Sequence, residues 1–199
     1  MNIKEPFGET ALYMASHAGR AALVRELLNN EKVDVNRTGK NGLTPLHAAI
    51  CQGHIVVVRE LLKCNKVDVN VANNYGETAL VLAIVVLNVA TKDGAKWDLV
   101  GEIITQKNVD LNVRGRLGYT LLMWATLQGN FDLVSQLLQH DTLDTNLKNI
   151  AGSTALDIAH SCGHVAIATL LRRHRTNSYA LNRHNASPTK RMQMAPNIP

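Results

Sequence analysis

Eight histidines and three cysteines are the residues of this chain that could do chemistry. A metal site needs such groups clustered at ligand spacing, and a nucleophile needs a base and an orienting acid beside it. His160 and His164 stand four apart with Cys162 between them, yet Gly163 falls at a turn and no HExxH is present. No acid holds a defined spacing to Cys162. Cys51, Cys64 and Cys162 are odd in number, far apart and form no CxxC. That argues against a disulfide framework or a zinc ribbon, and for three reduced thiols in a cytoplasmic compartment. The phosphate-binding patterns GxGxxG and GxxxxGKS/T and the nucleophile pattern GxSxG are absent. The sequence therefore predicts no catalytic residue, no metal and no cofactor, and a chain that is not an enzyme.

What remains is the framework. The chain has 199 residues, 46% hydrophobic but only 4% aromatic. A core of Ala, Val, Leu and Ile is expected, and the scarcity of rings disfavours a β-sandwich or barrel. No apolar run reaches the roughly eighteen residues of a membrane span, and residues 1–6 show no signal-peptide pattern. The net charge of +5 is uneven. Six basic residues lie from Arg172 onward, where there is no acid, while residues 1–171 carry 15 basic and 16 acidic residues. The basicity belongs to the tail and does not make the whole chain a nucleic-acid binder.

A repeat organises the rest. Gly42-Leu43-Thr44-Pro45-Leu46-His47 has weaker relatives beginning at Gly8, Gly76, Gly118 and Gly152, at spacings of 34, 34, 42 and 34. Two further markers keep step. One is an apolar pair, as in Leu27-Leu28, Leu61-Leu62, Ile103-Ile104, Leu137-Leu138 and Leu170-Leu171. The other is Val33-Asp34-Val35-Asn36 and its counterparts ending at Asn70, Asn112 and Asn146. Each unit reads as two short helices. Thr44 caps the first of its unit, Pro45 opens it, and Gly53 stops it before the run Ile55 to Leu62. Neither helix can bury its apolar face alone, so stacked neighbours must supply the core. The third unit has eight extra residues, placed between its helices somewhere in Val85 to Trp97, with a first helix from Ala79 to about Ala90 and a turn at Lys92-Asp93-Gly94.

Thr44-Pro45-Leu46-His47, then Gly53-His54, an apolar helix and Val67-Asp68-Val69-Asn70 resemble the ankyrin repeat. The resemblance implies an all-α solenoid of five helix–turn–helix units with hairpin-like loops over residues 1–173. The units run at about 6–36, 37–70, 71–112, 113–146 and 147–173, and a basic, disordered tail follows at 174–199. It also implies that His47 ties neighbouring loops together by hydrogen bonds. The implied function is non-enzymatic protein binding as a scaffold, adaptor or secreted effector, through the concave ridge of loop tips and first helices. The chain is read as a monomer in the cytoplasm, delivered into a host cell if its source is a pathogen. Membrane and nucleic acid are not expected partners. The alternative is a nuclear regulator whose basic tail contacts nucleic acid or an import receptor.

Placed by register, the partner-binding positions are Phe7, Lys40, Asn41, Leu43, Asn74, Tyr75, Glu77, Arg116, Leu117, Tyr119 and Ile150. Tyr75 and Tyr119 are the expected anchors, with Arg116 as a polar clamp. Gly39, Asn73, Gly115 and Asn149 precede the tips and are read as turn residues that tolerate positive φ. Asn36, Asn70 and Asn146 carry a Leu eight residues before and an acid two before. That spacing resembles the substrate pattern of the asparaginyl hydroxylase that acts on ankyrin repeats.

Overall fold

In a computed structural model of the chain, helices follow the periodic segments. It describes residues 10–90 and 94–174, as backbone alone at 85–90, 94–98 and 116. Phe7 and the tail from 175 therefore lie outside the described residues. Ten α-helices and no strands occur among those described: α1 Ala11–His17, α2 Ala21–Leu28, α3 Pro45–Cys51, α4 Ile55–Leu62, α5 Ala79–Ala90, α6 Gly94–Ile104, α7 Leu121–Leu127, α8 Phe131–Leu137, α9 Ala155–Ser161 and α10 at 165–174.

The first helix of a unit starts where a threonine satisfies its free N–H groups. Thr10, Thr44, Thr78 and Thr154 each accept, through Oγ1, from the backbone N–H three residues on. Pro45 fills the first turn of α3. The first helices of the first, second, fourth and fifth units end at Gly19, Gly53, Gly129 and Gly163, whose φ lies between +68° and +71°. The residue after each glycine bonds back to the helix, as His54 N–H does to the Ala49 carbonyl at 2.9 Å.

The third unit lacks that glycine, since Leu87 stands where the period would put it. Nothing stops α5, which runs 12 residues where α1, α3, α7 and α9 run seven; α6 runs 11 where α2 and α4 run eight. The eight additional residues are thus taken up by lengthening both helices. The first helix, Ala79–Ala90, is the longer one expected from sequence. Of the expected turn at Lys92-Asp93-Gly94, residues 92 and 93 lie outside the described residues, and Gly94 begins α6, which corrects its place.

The chain groups into two compact units, Met1–Leu121 and Leu122–Pro199. In the first, α1, α3 and α5 stack in one row and α2, α4 and α6 in a second. Leu12, Leu46 and Leu80 occupy one phase of the inner row and Val24, Val58 and Val100 one phase of the outer, all buried. Each such side chain contributes about 1.5–3 kcal/mol by leaving water. Ion pairs run along the outer row, where Arg25 meets Glu60 at 3.1 Å and Arg59 meets Glu102 at 2.7 Å. Lys63 also reaches Glu60, and hydrogen bonds from Arg25 and Lys63 hold the Glu60 pKa down to about 2. In the second unit Leu122, Leu133, Val134, Leu137, Ile158, Ala159 and Leu171 are buried.

Candidate functional site

The loops between helix pairs turn back at four tips, and two chemistries make them. At 73–77 and 149–153 the first residue is asparagine. Asn73 Oδ1 accepts from the N–H of Tyr75 and of Glu77, at 2.9 and 3.0 Å. Asn149 Oδ1 does the same for Ala151 and Ser153. At 39–43 and 115–119 the first residue is glycine and offers no such acceptor. These tips close as single 3-10 turns, Lys40–Gly42 and Arg116–Gly118. Their middle residues take φ +58°, at Asn41 and Leu117. The expectation that Gly39, Asn73, Gly115 and Asn149 supply positive φ is therefore corrected: the asparagines act through their side chains, and the left-handed conformation falls three residues on, at Gly42, Gly76, Gly118 and Gly152, and in the two glycine-led tips also at Asn41 and Leu117. For Leu117 that conformation costs about 1–2 kcal/mol.

The tips expose what the sequence placed there. Tyr75 is 72% exposed, Leu117 63% and Ile150 75%. Lys40, Asn41 and Asn74 are exposed, and Leu43, Glu77 and Tyr119 half-buried. Arg116 lies in its turn by its backbone, and its side chain lies outside the described residues. Two neighbouring tips are joined directly, since the Asn74 N–H donates to the Asn41 carbonyl at 3.0 Å. Asn74 sits so close that a Cβ on Gly42 would fall 2.3 Å from its Oδ1. Glu77 Oε2 accepts from Asn73 Nδ2 at 3.1 Å, bracing the tip that carries Tyr75.

Behind the tips, asparagine amides clip successive loops. Asn36 Nδ2 donates to the Lys66 carbonyl at 2.8 Å, and its Oδ1 accepts from Asp68 N–H at 2.8 Å. Asn70 repeats this with Asn108 and Asp110, at 2.6 and 2.8 Å. A family model described as Ankyrin repeats (3 copies) matches residues 1–73, 32–86 and 87–182. The chain belongs to the ankyrin repeat family. No curated protein sequence matches it. Ankyrin repeats generally mediate protein–protein interaction.

The histidines of these ankyrin repeats serve the fold. His47 is 1% exposed, and its Nδ1 accepts from the Thr44 N–H at 3.1 Å. Its Nε2 has no hydrogen-bond partner, so His47 caps its own helix and does not tie neighbouring loops, as the resemblance had implied. Burial pushes its pKa down to about 4. His54 Nε2 donates to the His17 carbonyl at 3.0 Å and lies against Gly19; His164 is placed alike over Leu127 and Gly129. These inter-repeat contacts were missed from sequence, although Gly-His recurs at 53–54 and 163–164. No cluster of three or more His, Cys, Asp or Glu able to hold a metal occurs among the described residues. The cysteines are free thiols, and burial, then Glu77, pushes the Cys51 pKa up. No helix among the described residues is long and apolar enough to cross a membrane.

One recess adjoins the tips. A cavity of about 350 Å³ is lined by Tyr75, Gly76, Glu77, Arg114 and Gly115. Arg114 was not singled out from sequence. Its place directly before Gly115, at the start of a tip, was the available signal.

Proposed function

We propose that the chain is a non-enzymatic protein-binding scaffold, adaptor or effector. Its partner lies on the concave side of the repeats, along the tips of repeats two to four. The repeats are drawn at about 6–36, 37–70, 71–112, 113–146 and 147–173. The observation that carries this reading is Tyr75. A tyrosine 72% exposed, on a tip braced by the Asn73 side chain, offers a large face with a polar end and little entropy left to lose. Free thiols, with that of Cys51 shifted away from reactivity, suit a monomer working in the reducing cytoplasm of its own cell or of a host.

The test compares captured partners and their affinities for the intact chain and for Tyr75→Ala with Tyr119→Ala. The double change is expected to weaken binding by about 2 kcal/mol or more while helical circular dichroism is retained. Unchanged affinity with an intact fold overturns the reading. We also propose Asn36, Asn70 and Asn146 as hydroxylation positions. Asn36 and Asn70 are held in their clips, whereas Asn146 is exposed and has no side-chain partner among the described residues. Mass spectrometry after incubation with the hydroxylase should find one added oxygen on these asparagines; finding none on any of them ends that proposal.

A further inference from the structure

The two sides of the first unit treat their charges differently. On the outer row the cations are matched, with Arg25 and Lys63 on Glu60 and Arg59 on Glu102. On the loop side they are not. The loop segments 37–43, 71–77 and 113–119 carry Arg37, Lys40, Arg114 and Arg116 against a single acid, Glu77. Arg37, Lys40 and Arg114 make no ion pair with a described carboxylate, and Lys40 and Arg114 are exposed. Glu77 is occupied in part by the Asn73 amide.

Apolar groups stand among these cations. Tyr75 shares the 350 Å³ cleft with Arg114. Leu117, two residues beyond Gly115, is exposed while its backbone holds a left-handed conformation that L residues avoid. A strained residue whose side chain stays largely in solvent points to a contact made outside the chain.

From this juxtaposition we infer that the tips of repeats two to four take an acidic peptide segment of a partner protein. One of its carboxylates pairs with Arg114 in the cleft, and an adjacent apolar side chain lies on Tyr75 and Leu117. Arg37 and Lys40 meet further acids along the segment. The guanidinium of Arg114 suits a carboxylate bidentately. Glu77, in the same cleft, is taken up in part by the Asn73 amide, and the aliphatic Leu117 beside it suits an apolar side chain better than a nucleobase.

The inference rests on the tips being the binding surface, and the experiment separates the two ideas. Random twelve-residue peptides displayed on phage are selected on the full chain. The enriched ones are then titrated, alongside oligodeoxythymidine, against the intact chain, Arg114→Glu and Tyr75→Ala. The expected result is enrichment of Asp or Glu next to an apolar residue. Arg114→Glu should weaken binding by about tenfold or more. Replacing the peptide's acid by lysine should restore affinity for Arg114→Glu and for no other form. Peptides free of acid that still depend on Tyr75 would overturn the acidic class and leave the tips as the surface. Peptides indifferent to both substitutions would overturn both. Failure to enrich any peptide, or tighter Arg114-dependent binding of oligodeoxythymidine, would overturn the inference as well.

Discussion

Acid should loosen this fold through one histidine. The His47 ring is buried against α3, and its Nδ1 is committed to accepting the Thr44 N–H. An imidazolium there would lose its water and turn an acceptor into a donor facing a donor. Its folded pKa is accordingly about 4, below the ordinary 6.5. Above pH 6.5 the ring is neutral in both states and pH changes nothing. Between 6.5 and about 4 the unfolded chain takes up a proton that the folded chain refuses, so stability falls as pH falls. Below about 4 both states carry the proton and the loss stops. At about 1.4 kcal/mol per pH unit the whole interval amounts to about 3 kcal/mol, a large share of a typical domain's stability. Urea unfolding of the intact chain and of His47→Gln at several pH values from 7.5 to 4.5 measures it. The variant should be the less stable at pH 7.5, and the gap should shrink by about 2–3 kcal/mol by pH 4.5. The other titrating groups are common to both proteins and cancel. Parallel curves, with the same gap at both ends, would refute the argument.

Other expectations follow from burial and hydrogen bonding. Leu61 is fully buried and Leu62 only half-buried, so Leu61→Ala should cost roughly 2–5 kcal/mol and Leu62→Ala clearly less; equal losses in urea unfolding would mean that the register is wrong. The Thr126 hydroxyl is buried without a partner, so the isosteric Thr126→Val should leave the melting temperature unchanged or raise it, by an amount equivalent to about 1 kcal/mol; a clear loss would reveal a bond not seen here. Asn70→Ala strips partners from Asn108 and Asp110 and should cost about 1–2 kcal/mol, whereas Asn146→Ala should cost less than about 0.5 kcal/mol; similar losses would show that the clips do not hold the loops.

Much of the framework was legible because it is local. A threonine before a short apolar run and a glycine after it fix both ends of α3 without reference to anything distant. The span of α5 could be read because Ala79 to Ala90 contains no breaker. The share of the insertion that lengthens α6 was not legible, because Gly94 reads as a turn residue and instead begins that helix. The site was harder. Composition could place Tyr75, Leu117 and Ile150 on exposed tips. It could not tell which tips are braced by an asparagine side chain and which put a non-glycine residue in the left-handed conformation, because glycine at 39 and 115 suggested its own φ before that of its neighbours. The clips made by Asn36 and Asn70 join residues 30 to 40 apart in the chain, and no local pattern announces that separation.

The lengthened third pair shows what the array treats as fixed. Asn36 reaches across 30 residues to Lys66 and 32 to Asp68; Asn70 reaches across 38 and 40 to the same two backbone positions of its neighbour. Eight residues have entered the chain between those endpoints without changing the bonds at either end. The loop side thus behaves as a ruled edge whose graduations survive duplication or growth, while the helices α5 and α6 take up the added length. Residues could be grafted between α5 and α6 to build a larger wall or carry a tag with the spacing of the recognition loops left intact. Insertions of similar size between Asn70 and Gly76 would shift every later graduation.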